Sequence, residues 1–220
     1  MGITDYSFNR MKKYLPTDSL CELGDQWLFV SGVEHHTFSR DYFKDTGLIG
    51  RYESLDYMDR ESVSIILDLN HDINEQENYD GFQYDVITDF GTLEHVFDYY
   101  QGLKNAYNLC KVGGVMIVST PKVDSWPGHC FHTFESKFFT EFCTMTGMEL
   151  LFIEEYPACG NTTDGWEICV EARKTNDEFP TREEFKSKLR PLYLTVIDEH
   201  PQGRSQMGLT TEDMTKLSQK

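Results

Sequence analysis

Four apolar runs in this chain stop at an acid or a glycine. Ser19-Leu20-Cys21-Glu22-Leu23 runs into Gly24-Asp25-Gln26, and the stretch from Arg51 to Leu55 stops at Asp56. Ser64-Ile65-Ile66-Leu67 stops at Asp68, and Tyr84-Asp85-Val86-Ile87-Thr88 stops at Asp89-Phe90-Gly91. Short apolar runs closed in this way read as buried strands of a parallel sheet. Ligands of such sheets bind beyond the carboxyl ends of the strands. Packing needs no acids there. A row of carboxylates suits a ligand that carries sugar hydroxyls, an amino group and a cationic centre. Two histidines, His129 and His132, fall in a loop from Lys122 to Thr133 after a fifth run, Val115 to Ser119. A histidine there has the pKa to take a proton from a substrate, although a loop histidine bonded to backbone is an equal reading.

The elements that must position these residues follow from periodicity. Residues 1 to about 17 form a short amphipathic lead-in that ends at Pro16. A helix is expected within residues 26 to 47. Another is marked by Phe97, Tyr100, Leu103, Ala106, Tyr107 and Cys110 at three- and four-residue steps, with Val112-Gly113-Gly114 closing it. Phe138, Phe139, Phe142 and Met145 mark a further helix, ended by Gly147. Two late strands, Glu149 to Tyr156 and Trp166 to Arg173, are joined by a turn at Cys159-Gly160-Asn161. The alternation predicts an α/β fold: a Rossmann-like, doubly wound, mostly parallel seven-stranded sheet with an antiparallel edge strand and helices on both faces. The main domain spans residues 1–175, and residues 176–220 add one helix, Arg182 to Leu189, and a mobile polar tail.

Several of these segments resemble class I S-adenosylmethionine-dependent methyltransferases, nearest to the type 11 and type 23 small-molecule enzymes. Cys21-Glu22-Leu23-Gly24 is similar to their first-strand motif. Tyr84 through Val96, with Asp89-Phe90-Gly91-Thr92-Leu93-Glu94-His95, is similar to their fourth-strand segment. Leu109-Cys110-Lys111-Val112-Gly113-Gly114 resembles the turn before their fifth strand, and His132-Thr133-Phe134 with Thr146-Gly147-Met148 resembles a later region. The resemblance spans roughly residues 18 to 173. It implies S-adenosylmethionine as cofactor. Glu22 would orient the methionine part, and the loop at Gly24 would let backbone approach it, with Asp25 and Gln26 as contacts. Asp56 would bind the ribose hydroxyls, Asp68 and the Leu69 backbone the adenine, and Asp89 and Phe90 would line the pocket beside the sulfonium. His132 or His129 would serve as base. The first loop departs from the family pattern, since Gly24 is its only glycine; a non-catalytic binding module on the same fold is the alternative.

Composition narrows the partners. The 220 residues are 39% hydrophobic, enough for a globular core rather than a disordered chain. The net charge of -17 repels phosphate backbones and anionic headgroups, so the expected acceptor is a small molecule, with no nucleic acid and no membrane as partner. None of the six cysteines forms a Cys-x-x-Cys pair, and all read as reduced, which places the protein in the cytoplasm. Some quinone-type relatives bind magnesium through Glu-x-x-Glu-His at the Glu94-His95 position. The first of those positions is Gly91 here, so no metal is expected. His35-His36 read as surface residues, and Trp126-Pro127 as either a wall of the acceptor pocket or a pin for its loop. Specificity for the acceptor is expected to come from the lead-in, residues 27 to 45 and the Lys122–Thr133 loop.

Overall fold

The computed structural model describes residues 2–33, 36–59, 63–126, 129–158 and 165–195. The expected turn at Cys159-Gly160-Asn161, His35, Pro127 and the polar tail beyond 195 lie outside the described residues. The chain opens with β1 (Gly2–Thr4), α1 (Asp5–Met11) and a single 3-10 turn. The first sheet strand is β2 (Thr17–Leu23), followed by a short β3 (Trp27–Phe29) and α2 (Ser39–Thr46). Then come β4 (Ile49–Asp56), β5 (Ile65–Ile66), β6 (Tyr84–Phe90), α3 (Tyr99–Leu109) and β7 (Cys110–Pro121). The last elements are β8 (His132–Phe134), α4 (Ser136–Thr146), β9 (Glu149–Pro157), β10 (Trp166–Arg173), α5 (Arg182–Leu189) and β11 (Tyr193–Thr195).

Seven strands form one sheet in the order β5-β4-β2-β6-β7-β10-β9. β10 runs antiparallel to both of its neighbours, and the other four pairings are parallel. The antiparallel strand therefore lies one place in from the edge, and β9 forms the edge. It gains a full ladder on each side that way. The order reverses between β2 and β6, which makes their carboxyl ends the switch point where ligands of such sheets bind.

Alternation along the strands builds two cores, one on each face. Cys21, Leu23, Ile87, Met116 and Val118 pack with α3, α4 and α5 on one face. Leu20, Val86, Phe90, Val115 and Ile117 pack with Met11 of α1 and Phe43 of α2 on the other. α5 belongs to the first core, since Phe185 and Leu189 are fully buried in it. The boundary expected at residue 175 thus does not separate two cores.

Two local readings change. The helix expected within residues 26 to 47 starts only at Ser39. The chain instead leaves Gln26 on an excursion in which β3 pairs in parallel with β1, then returns, where the Ser39 N–H bonds the Gln26 carbonyl at 3.1 Å. Within the excursion Trp27 and Phe29 stack on each other (6.3 Å between centroids). The second change is at Gly113-Gly114. Helix α3 ends at Leu109 and leads directly into β7, so the glycines lie inside that strand rather than capping the helix.

The first loop explains its own glycine. Gly24 has φ +78°, and a Cβ there would sit 2.3 Å from Thr92 Oγ1. Thr92 in turn donates to the Leu23 carbonyl at 2.7 Å. Gly24→Ala should therefore cost more than about 1 kcal/mol, from both backbone strain and the clash. Gly113→Ala, at φ +89° with open space around it, should carry the strain alone. Urea midpoints for the two variants check this; equal losses would show that Thr92 yields freely.

Candidate functional site

The side chains at the carboxyl ends of β2 and β4 form one group. Glu22 points to the α2 face and is fully buried. Its Oε2 accepts hydrogen bonds from Ser39 (2.6 Å), at the start of α2, and from Tyr52 (2.6 Å) on β4. Its Oε1 is buried without a partner. Burial raises its pKa to about 8, against the two hydroxyl donors that lower it. Gln26 is also buried; its Nε2 donates to the Leu23 carbonyl at 3.0 Å, and its Oε1 has no partner. Asp56, at the end of β4, is half-buried and accepts the Asp25 N–H (3.3 Å) and the Met58 N–H (3.0 Å). Glu22, Gly24, Asp25, Gln26 and Asp56 are thus brought together.

Asp68 and Leu69 serve their own turn. Asp68 Oδ1 accepts both the backbone N–H and the side-chain amide of Asn70, each at 2.9 Å, and Oδ2 lies 3.6 Å from His71. The Leu69 side chain is in the α3 core, and its carbonyl accepts Asn105 Nδ2 at 3.0 Å. Asp89 is buried at the end of β6. Its Oδ1 caps the following 3-10 turn through the N–H groups of Thr92 (2.9 Å) and Leu93 (3.3 Å), while Oδ2 has no partner. Burial raises it to about 7 despite those donors.

Beyond β6 and β7 a cavity of about 260 Å³ opens. Phe90, Gly91 and Glu94 line it from the β6 side, and Ser119 and Pro121 from the end of β7. Trp126 and His129 of the following loop, Phe29 of the excursion, and Gly2, Thr4 and Ser7 of the lead-in close it. The lead-in is held there by Arg10 and Tyr14, both bonded to the buried Glu171 of β10, with the Arg10 guanidinium 3.2 Å over the Phe152 ring. The three segments expected to supply specificity therefore meet around one cavity.

Its polar groups were largely hidden in the sequence. Glu167, at the start of β10, accepts from Ser119 at 2.8 Å and from Tyr156, and those two hydroxyls lie 2.6 Å apart. An antiparallel strand begins where its parallel neighbours end, so the alternation of Glu167, Cys169 and Glu171 was the available signal. Glu94 is 1% exposed, its Oε2 has no partner, and burial followed by repulsion from Asp89 raises its pKa well above the ordinary value. His95 and His129 stand beside it, with one ligand atom of each of the three within 4.8 Å of the others. Such a group could hold a metal ion, a possibility that the loss of the acid at Gly91 argued against in the sequence.

His132 does not join the cavity. Its ring is buried, and Nε2 donates to the carbonyls of Val96 (3.0 Å) and Phe97 (3.2 Å). Burial lowers its pKa to about 4. A histidine so committed pins the segment after Glu94, and of the two histidines only His129 faces the cavity.

No family model matches the sequence, and no curated protein matches it. Solved structures do match its fold. An N1-methyltransferase of Burkholderia thailandensis, solved with 1,6-didemethyltoxoflavin and S-adenosylhomocysteine, superposes with a TM-score of 0.54 at 14% identity, over 77% of this chain and 76% of that one. The N-methyltransferase NodS of Bradyrhizobium japonicum, solved with S-adenosylhomocysteine, gives 0.54 at 12% identity, over 79% of this chain and 89% of that one. The fold is that of class I S-adenosylmethionine-dependent methyltransferases. No helix among the described residues is long and apolar enough to cross a membrane.

The His132 geometry carries a pH prediction. Its folded pKa is lowered, so its contribution is complete above the unfolded value near 6.5 and is lost as pH falls through about 4. Glu22 and Asp89, both raised, act in the opposite sense and favour the folded state at low pH. Comparison with His132→Asn cancels them. The variant should be less stable at pH 7 by about 1–3 kcal/mol. Between pH 7 and pH 4 the parent should lose about 3 kcal/mol relative to the variant, so that the deficit vanishes or reverses. Denaturant unfolding at both pH values measures it; a constant deficit would mean that His132 titrates normally.

Proposed function

We propose that the protein binds S-adenosylmethionine and transfers its methyl group to a small polar acceptor in the cavity beyond β6 and β7. The observation that carries this reading is the set of three buried oxygens without partners at the switch point: Glu22 Oε1, Gln26 Oε1 and Asp89 Oδ2. A buried acceptor without a donor is costly, and a ligand rich in donors removes the cost. An ammonium is such a donor for Glu22 Oε1, so the residues at the end of β2 fit the methionine end of the cofactor. Glu22 would hold the methionine ammonium, Asp56 the ribose hydroxyls and Asp68 with the Leu69 backbone the adenine. Gly24, Asp25 and Gln26 would form the loop against it, and Asp89 with Phe90 the wall between cofactor and acceptor. When bound, the cofactor supplies a methyl group already activated for transfer. The chain then has to align the acceptor, exclude water and, where the acceptor must lose a proton, accept it. Of His129 and His132, it is His129 that lines the cavity and would take part in moving that proton. The net charge of -17 keeps nucleic acid and anionic membranes out of the acceptor role.

A second reading has one observation in its favour. Gln26 and Thr92 occupy the space beside Gly24, where the fold's enzymes keep further glycines, and this suits a binding module that has given up catalysis. Calorimetry with S-adenosylhomocysteine, paired with a labelled-methyl transfer assay against metabolite fractions, separates the two. Binding without transfer favours the module, and absence of both sinks the main reading. Asp56→Ala should weaken S-adenosylhomocysteine binding by about 1–3 kcal/mol, as charge-assisted bonds to both ribose hydroxyls are lost. Its circular dichroism should remain that of the parent. Unchanged affinity would move the ribose site away from β4.

A further inference from the structure

The geometry points to a small amine as the molecule this cavity accepts, its nitrogen held between the carboxyl groups of Glu94 and Glu167. The inference deepens the methyl-transfer reading by naming the acceptor class and rests on it for the reaction, but the binding claim stands on the cavity alone.

Charge is the first argument. Among the described residues that line the cavity, the carboxyl groups are Glu94 and Glu167, and no lysine or arginine lines it. An anionic acceptor would meet two carboxyl groups and no cation, and a neutral alcohol would bring neither of them a charge to pair with. An ammonium offers both a partner, and Glu94 Oε2 is buried without one.

The second argument is an unsatisfied atom. Glu94 is 1% exposed and its Oε2 is buried without a partner, on a residue that lines the cavity. Glu167 is fixed by the Ser119 and Tyr156 hydroxyls, so it is oriented before a ligand arrives. The third argument is the remainder of the wall. Phe29, Phe90, Trp126 and Tyr156 line the same space, and aromatic rings attract ammonium groups. At about 260 Å³ the space suits a compound of one ring with a short amine arm.

The pairing also handles the proton. An alkyl ammonium has no lone pair with which to attack a methyl group. As the ammonium enters, the proton Glu94 carries in the empty cavity leaves to solvent, and the ammonium then gives up one N–H proton to the Glu94 Oε2 so freed. The N–H bond breaks with its electron pair left on nitrogen, the O–H bond forms, and an ion pair becomes a neutral pair. His95 and His129 lie beside Glu94, and His129 is exposed, which gives the proton a way out.

The test uses the full chain and three amines, benzylamine, 2-phenylethylamine and cyclohexylamine, each with its alcohol and carboxylic acid counterpart. Calorimetry is run in EDTA, with and without S-adenosylhomocysteine. At least one amine should bind about tenfold or more tightly than its alcohol, and the acids should not bind. Glu94→Gln should abolish the preference for amine over alcohol while S-adenosylhomocysteine binding stays. Glu167→Gln should reduce the preference in the same direction and serves if the first variant does not fold. The inference falls if no amine binds at millimolar concentration, if an alcohol or acid binds as well, or if both variants keep the preference. It also falls if amine binding appears only when EDTA is replaced by a divalent cation, since a metal on Glu94, His95 and His129 would then be the recognition group. Amine binding with no S-adenosylhomocysteine binding would leave this inference standing and remove the methyl-transfer reading.

Discussion

The junction between the ends of β2 and β6 depends on one carbonyl oxygen. Leu23 O receives the Thr92 hydroxyl at 2.7 Å and the Gln26 amide at 3.0 Å. Thr92 is placed for this by Asp89, whose Oδ1 takes its N–H. The loops on either side of the switch point are therefore tied by buried hydrogen bonds, and Gly24 must lack a side chain for them to close. Everything proposed as ligand-binding hangs from these two loops. On one side, Gly24 N–H bonds the Leu55 carbonyl at 2.6 Å and sets the height of Asp56. On the other, the 3-10 turn capped by Asp89 presents Glu94 to the cavity.

Burying acids without cations is expensive, and among the described residues Glu22, Asp89 and Glu94 are almost wholly buried with no lysine or arginine beside them. The fold meets part of the cost with short donors: two hydroxyls on Glu22 and two backbone N–H groups on Asp89. It meets the rest by raising all three pKa values, so that protons neutralise what hydrogen bonds do not. One oxygen on each remains without a donor. Groups left in this state are the ones at which a ligand rich in donors would gain most.

The lead-in and the 27–38 excursion are not decoration on the sheet. β1 and β3 pair with each other rather than with the main sheet, and together they bring Gly2, Thr4 and Phe29 to the cavity. The bond from Ser31 N–H to Asp5 Oδ1 (2.9 Å) and the Tyr6–Tyr156 stack, 3.8 Å between centroids, hold the pair over β9 and β10. In this chain, residues that would elsewhere extend a helix build a wall. That accounts for the late start of α2.

Local pattern made much of the protein legible. The ends of β2, β4 and β6 fall within a residue or two of the apolar runs that announced them, and α5 spans the residues expected of it, Arg182–Leu189, with a Thr181–Glu184 capping box at its start. Strand alternation and helical spacing are properties of neighbours in sequence, so sequence carries them. The acids at the strand ends were visible for the same reason. What tertiary structure decided was who meets whom. The sequence could not separate His129 from His132; burial in the turn of Val96 and Phe97 did. Nor could it bring Glu94, Tyr156 and Glu167 together, since they approach only when β10 inserts between β7 and β9. The position of that strand depends on burying both of its faces at once, a property of the whole sheet and of no single stretch of chain.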